Sequence, residues 1–270
     1  IIIKHFPDTE SYVLIPNIKS LKNKQVEIYH RLYPEQDKRI FELLLILSKV
    51  REQTKNIKLF IPYLHYARQD RESREGDVVS ADVLCGLLKS FGVKTLTTYD
   101  CHFLPRTGYF IRNGLRIENL SAGKELVKYA KGYFGKEKFL VISPDEGASY
   151  FTENAQGHVL KKIRSESKAT GKKTEIHADI HTIEGDIDIK GRNICILDDM
   201  ISTGGTVIHA LVHLKLLGAK KIIVGTTHGI FSKVGIEGKI LESHCSNLFT
   251  TDSILKDGLD KKVKVLKLSL

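Results

Sequence analysis

Apolar residues fall in short runs along this chain, bounded by glycine, proline and charged residues, and the runs alternate between two periods. Runs at 56–64 (NIKLFIPYL), 94–100, 139–143, 157–162, 192–197 and 221–226 predict strands, the near-continuous ones buried on both faces. Segments 80–90 (SADVLCGLLKS) and 121–133 carry the three-to-four-residue spacing of helices. Ser80 suits an N-cap for the first of these, and Gly92 a stop. Segment 205–217 is apolar on nearly every side, which predicts a helix packed between layers and not lying on the surface. Strands alternating with helices predict βαβ units, hence parallel sheets covered on both faces; the fold class is α/β. A fall in apolar density over 111–121 divides the chain into two α/β halves, 1–120 and 121–270. The last run, 262–268, reads as a strand that can return to the first half. The polar stretch 164–173 (RSESKATGKK) has no apolar period and is expected to be a mobile loop or loose hairpin, the kind of long loop that often serves function.

Composition narrows the class. With 270 residues, 41% hydrophobic and 27% charged, the chain can bury a core and is not disordered by composition. It has no stretch of the ~18 apolar residues a membrane helix needs. Its first residues, Ile1-Ile2-Ile3-Lys4, lack the basic flank and cleavage pattern of a signal peptide. A cytoplasmic protein without a membrane partner is expected. The chain lacks an initiator methionine and its one methionine is Met200, so the start is read as processed, trimmed or left out. Cys85, Cys101, Cys195 and Cys245 are far apart with no CxxC pair, which predicts reduced thiols. The net charge of +10 raises the possibility of nucleic acid, but the basic runs are short, tryptophan is absent and no stretch interleaves aromatics with basic residues. A solvated lysine-rich surface, or affinity for small phosphorylated ligands, explains the charge without a nucleic-acid partner.

No GxGxxG dinucleotide fingerprint and no GxxxxGK[ST] phosphate loop is present. His209 and His213 have metal-ligand spacing on a helix, but no glutamate lies between them, and His177 and His181 are no more persuasive. The strongest local signal runs from Asn193 to Thr206. A buried strand ends in Asp198 and Asp199, turns through Ser202, Thr203, Gly204, Gly205 and Thr206, and enters a helix. Open α/β sheets bind ligands at the carboxyl ends of their strands. Glycines permit close backbone approach, and a helix N-terminus offers free N–H groups and a favourable dipole to an anion. Two carboxylates beside that turn can accept hydrogen bonds from vicinal hydroxyls. The residues alone therefore suggest a sugar phosphate, phosphate in the loop and hydroxyls on the acids. An ordinary capped turn would account for the hydroxyls but not for the paired acids.

This run resembles the ribose-phosphate loop shared by phosphoribosyltransferases and ribose-phosphate diphosphokinases, also called phosphoribosyl-diphosphate synthetases. Further motifs select the second family. Ala67-Arg68-Gln69-Asp70, followed by Glu75-Gly76-Asp77, is similar to a synthetase motif that transferases lack. Phe6-Pro7-Asp8-Thr9-Glu10 resembles the adenine-site segment, Asp100-Cys101-His102 the Asp-Leu-His motif, and Ser143-Pro144-Asp145-Glu146-Gly147-Ala148 the pyrophosphate segment. Leu160 to Arg164 resembles the catalytic loop, and Thr227 to Phe231 and Thr251-Asp252 also match. The motifs fall in order over nearly the whole chain.

The resemblance implies two phosphoribosyltransferase-like domains with the active site between them, and transfer of a diphosphoryl group from ATP to the 1-hydroxyl of ribose 5-phosphate. It implies Mg²⁺ held by His102 and Asp145, and catalytic cations at Lys162 and Arg164, alternate positions that on a β-like segment point the same way. Phe6, Asp8, Glu10, Arg68, Gln69, Asp70 and His102 would hold ATP. Asp145, Asp198, Asp199, Ser202, Thr203, Gly204, Gly205 and Thr206 would hold ribose 5-phosphate. A homo-oligomer built from dimers is implied, with the adenine segment serving a neighbouring copy. Ser202 stands where many members carry a third acid and Ala148 replaces a frequent glycine, which is more like the archaeal branch. Residues 103–107 depart from the family's glutamine-rich version. The family usually has a strand and helix (~30 residues) before the adenine segment, and often a helix after the last strand. The first domain is therefore expected without its first strand and helix. A homologue that binds nucleotide without turnover and regulates an active partner is the other reading; the presence of both Lys162 and Arg164 favours the enzyme.

Overall fold

The structure, a computed structural model, describes residues 1–144, 158–163, 180–183 and 188–268. The chain divides into two compact units, 1–121 with 253–256, and 122–252 with 257–270. No helix among the described residues is long and apolar enough to cross a membrane. All four cysteines are buried and none is in a disulfide.

In the first unit, β1 (Ile2–His5) and β2 (Ser11–Leu14) form an antiparallel hairpin. A five-stranded sheet follows, built from β3 (Val26–Tyr29), β4 (Ile57–Phe60), β5 (Val93–Tyr99), β6 (Gly108–Arg112) and β7 (Leu115–Leu120) in the order β3-β4-β5-β7-β6. All but β6 are parallel, with α1 (Gln36–Val50) leading from β3 to β4 and α2 (Ser80–Ser90) from β4 to β5. Helix α1 forms because Ile40, Leu43, Ile46, Leu47 and Val50 repeat at helical spacing and bury one stripe against the sheet. Strands β6 and β7 are joined by Asn113-Gly114, with Arg112 opposite Leu115 and φ of 43° and 76° at the two turn residues. Positive φ at both positions is the geometry of the two-residue hairpin turn for which Asn-Gly is suited.

In the second unit the sheet order is β10-β9-β8-β11-β12-β13-β14. Its strands are β8 (Phe139–Ser143), β9 (His158–Ile163), β10 (Ile180–Ile183), β11 (Asn193–Ile201), β12 (Lys221–Gly229), β13 (Cys245–Thr251) and β14 (Lys264–Leu266). Only β10 pairs antiparallel. Helix α3 (Gly123–Phe134) precedes β8, α4 (Gly205–Leu216) connects β11 to β12, and α5 (Ile236–Glu242) connects β12 to β13. Ile194, Ile196, Ile222, Val224 and Leu248 share a core with Val207, Ala210, Leu211 and Leu214 of α4. The opposite face carries Phe249, whose ring lies 4.6 Å from that of Tyr129 on α3.

Four local expectations differ from the structure. The strand expected over 56–64 stops at Phe60, because Pro62 cannot donate to a ladder and the chain turns there. The cap of α2 is Val79, without a side-chain bond, and the Ser80 hydroxyl donates instead to Gln69 Oε1 at 2.7 Å. Helix α4 is not covered all round: Val212 and Leu216 are 42% and 81% exposed, since one helix face meets the sheet and the other does not. The last strand pairs in parallel with β13, Phe249 opposite Lys264, and so belongs to the second unit's sheet. The polar stretch 164–173 lies outside the described residues.

Gly225 on β12 shows how closely this sheet is packed. A Cβ there would stand 2.4 Å from the Phe249 ring and 2.8 Å from Leu197 Cδ2. Both neighbours are fully buried, so neither can yield without disturbing the core. Gly225→Ala is expected to destabilise the protein by ~1–3 kcal/mol, read as a lower urea midpoint at unchanged slope. An unchanged midpoint would contradict this packing.

Candidate functional site

In the second unit, the site grows from the end of β11. All nine residues of this strand are buried; β12 pairs along most of it and β8 along Asn193–Ile196. Asp198 and Asp199, at 6% and 3% exposure, lie within the strand and not beyond it. Asp198 is in register with Thr226, and Thr226 with Thr250, so buried polar side chains cross the sheet near its carboxyl end. Met200 N–H donates to Asp199 Oδ1 at 2.8 Å, which orients that carboxylate.

The chain then turns into α4. Gly204 is its N-cap, with φ of 75°. A Cβ at Gly204 would also meet Ile236 Cγ1 at 2.7 Å, so glycine is required by both conformation and space. Ser232 N–H donates to Ser202 O at 3.0 Å and the two hydroxyls are 3.1 Å apart, which ties this turn to the segment after β12. Ser202, Gly205 and Thr206 are half-buried and Thr203 is exposed. The first N–H groups of the helix have no partner within it and its positive end lies at the turn, an arrangement suited to an anion beside two carboxylates.

In the first unit, three loops carry the remaining described candidates. Phe6, Asp8 and Glu10 lie on the exposed loop between β1 and β2. Phe6 N–H donates to Glu10 O at 2.9 Å, Glu10 N–H to Asp8 Oδ1 at 3.3 Å, and the Phe6 ring meets Tyr12 edge-on at 6.0 Å. Arg68 and Gln69 are exposed and Asp70 half-buried on the loop before α2, where Ala81 N–H donates to Gln69 O at 3.2 Å. His102 is half-buried just past β5, in a loop fixed by Asn119, which accepts from Cys101 N–H and donates to Arg106 O, both at 2.9 Å. Arg112 links these last two loops. Its guanidinium donates to the Asp82 carboxylate and to Asp70 O and lies 4.2 Å above the Phe103 ring. Sequence reasoning missed Arg112, because a lone arginine on a strand carries no local signal.

Lys162 lies on β9, opposite His181 on β10. Asp145 and Arg164 lie outside the described residues. Among the described residues, no group of three or more His, Cys, Asp or Glu side chains could hold a metal ion. Burial pushes the Cys85 thiol up to about 11 and that of Cys245 to about 12, which disfavours the thiolate that ligation and nucleophilic attack require.

Comparison with known proteins gives two family matches: residues 1–92 to the N-terminal domain of ribose phosphate pyrophosphokinase, and residues 122–254 to the phosphoribosyl transferase domain. The ribose-phosphate pyrophosphokinase of Pyrococcus furiosus is 35% identical over 238 residues, covering 87% of this chain and 80% of the relative. That of Sulfurisphaera tokodaii is 33% identical over 98% of this chain and 88% of its own. Among solved structures, a phosphoribosylpyrophosphate synthetase from Mycobacterium smegmatis matches the fold with a TM-score of 0.80 at 23% identity, covering 98% of this chain and 85% of that one.

The double constraint on Gly204 is open to test. Gly204→Ala is expected to cost ~1–3 kcal/mol through left-handed strain and the contact with Ile236, seen as a melting temperature several degrees lower. In an Ile236→Ala background the cost of Gly204→Ala should be smaller, because the steric part is gone and the left-handed strain remains. An equal cost of Gly204→Ala in the wild-type and Ile236→Ala backgrounds would remove the close approach as a cause.

Proposed function

The chain belongs to the ribose-phosphate pyrophosphokinase family, and on that premise we propose that it makes 5-phosphoribosyl 1-diphosphate from ATP and ribose 5-phosphate for nucleotide biosynthesis. In this reaction the 1-hydroxyl oxygen of the sugar attacks the β-phosphorus of ATP. The bond from that phosphorus to the α,β-bridging oxygen breaks, AMP leaves, and the hydroxyl proton is released. The observation that carries the reading is the buried acid pair of β11 running directly into the glycine turn at the N-terminus of α4.

Each role follows from chemistry. Ser202 to Thr206 would cradle the 5-phosphate with backbone N–H groups and hydroxyls. Asp198 and Asp199 would accept the ribose hydroxyls. Phe6 offers a ring face to adenine, Asp8 and Glu10 accept from its exocyclic amine, and Arg68, Gln69 and Asp70 hold the ribose and phosphates. Phosphoryl transfer needs little covalent help and much alignment and charge neutralisation. Lys162 and Arg164 would supply positive charge to the β-phosphoryl group as it moves, and are the catalytic residues of this reading.

The cation is proposed to be Mg²⁺, with His102 and Asp145 holding it directly or through water. The donor types suit this ion: Mg²⁺ accepts a carboxylate oxygen, takes few protein ligands, keeps several waters and binds phosphate oxygens. When bound, it would neutralise and align the triphosphate. The same reading makes the enzyme a homo-oligomer of dimers working in the cytoplasm, without nucleic-acid or membrane partners.

The test is AMP release from ATP and Mg²⁺, with and without ribose 5-phosphate. AMP appearing only with the sugar is expected; ATP binding without AMP would favour the silent regulatory homologue. Lys162→Ala should lower turnover by orders of magnitude with little change in ATP affinity, because its contact tightens in the transition state. Near-normal turnover would remove Lys162 from the mechanism. Asp199→Ala should raise the KM for ribose 5-phosphate, and an unchanged KM would sink the sugar-site assignment.

A further inference from the structure

Helix α1 buries one acidic side chain in its apolar stripe. Glu42, on the core-facing side beside Leu43 and Ile46, has a fully buried carboxylate. Its Oε1 accepts from His5 Nε2 at 3.0 Å and from the Ser11 hydroxyl at 3.1 Å, and Arg39 Nη1 donates to Oε2 at 3.3 Å. Burial works against the charged form, but the bonds from His5 and Ser11 and the Arg39 charge outweigh it and hold the carboxyl below its ordinary range. A buried carboxylate is retained at such cost only where its partners are well placed.

The two hairpin partners are not arbitrary. His5 ends β1, Ser11 begins β2, and they face each other as the last registered pair before the loop. A single oxygen therefore binds both stems of the loop carrying Phe6, Asp8 and Glu10. Towards its open end the hairpin packs on the core through the apolar side chains of Ile3 and Val13. Apolar packing is non-directional and leaves the loop free to tilt or slide, whereas two bonds to one fixed oxygen set its angle.

We propose that Glu42 is a positioning residue for the nucleotide, clamping His5 and Ser11 so that the loop presents Phe6, Asp8 and Glu10 in one fixed orientation. This rests on the reading that those three residues hold adenine. Glu42 itself touches no substrate. It acts through the hairpin, and its removal changes how well the loop is preorganised and not what the loop contains.

The test uses Glu42→Gln, which keeps size and an acceptor oxygen but removes the charge. The KM for ATP should rise about tenfold, with kcat within about twofold and the KM for ribose 5-phosphate unchanged. Amide exchange over 6–10 should quicken, while the amides of α1 keep their protection. Loss of protection throughout α1 would show a core defect instead and overturn the proposal, as would unchanged exchange and an unchanged KM. Should Glu42→Gln fail to fold, Ser11→Ala removes one clamp bond from the hairpin side and must move the same two readouts. Phe6→Ala separates the premise from the inference. If it leaves the KM for ATP at the wild-type value, the adenine reading fails, and the exchange of 6–10 in Glu42→Gln still decides whether Glu42 holds the loop.

Discussion

Burial of β11 along its whole length constrains the second unit more than any other contact. β12 pairs along most of the strand and β8 along Asn193–Ile196, so the strand lies inside the sheet, and helices pack on its faces. Pairing within the sheet fixes the register of the strand, and its burial favours apolar side chains along most of it. Past Asn193, which opens the strand and donates to Glu137 Oε2, its charged side chains stand at the carboxyl end, where Asp198 and Asp199 adjoin the turn into α4. The sheet thus delivers two carboxylates and a helix N-terminus to one place, and the packing around Gly204 and Gly225 leaves that arrangement little freedom.

The first unit positions its residues differently. Its candidate side chains are on loops, and loops need anchors. Asn119 pins the loop of His102, Arg112 ties that loop to the one carrying Asp70, and Glu42 pins the β1–β2 hairpin. Each anchor is a polar side chain bridging elements distant in sequence. These bonds involve charged or buried groups, where they are stronger and more directional than surface contacts. One unit therefore relies on backbone geometry and the other on polar side-chain clamps.

The elements legible in the chain were those whose pattern is local. Helix α2 and strand β8 have their expected bounds, because an apolar period with clear stops admits one reading. Helix α1 carries an equally clear local stripe, and Asn113-Gly114 an equally clear hairpin signal, although neither is among the elements expected above. The short strands β1 and β3 had less to offer: four residues hold too few alternations to distinguish strand from loop.

What the sequence determined by itself is the α/β class and the motifs in order from Phe6 to Thr206, because periodicity and motif spacing are properties of neighbouring residues. The tertiary structure alone decided which sheet receives the last strand, why Gly204 and Gly225 admit no side chain, and which partners Glu42 and Arg112 meet. Those depend on contacts between residues tens of positions apart, His5 with Glu42 or Asp70 with Arg112. Nothing local in the chain encodes such a meeting; only the folded backbone brings the partners together.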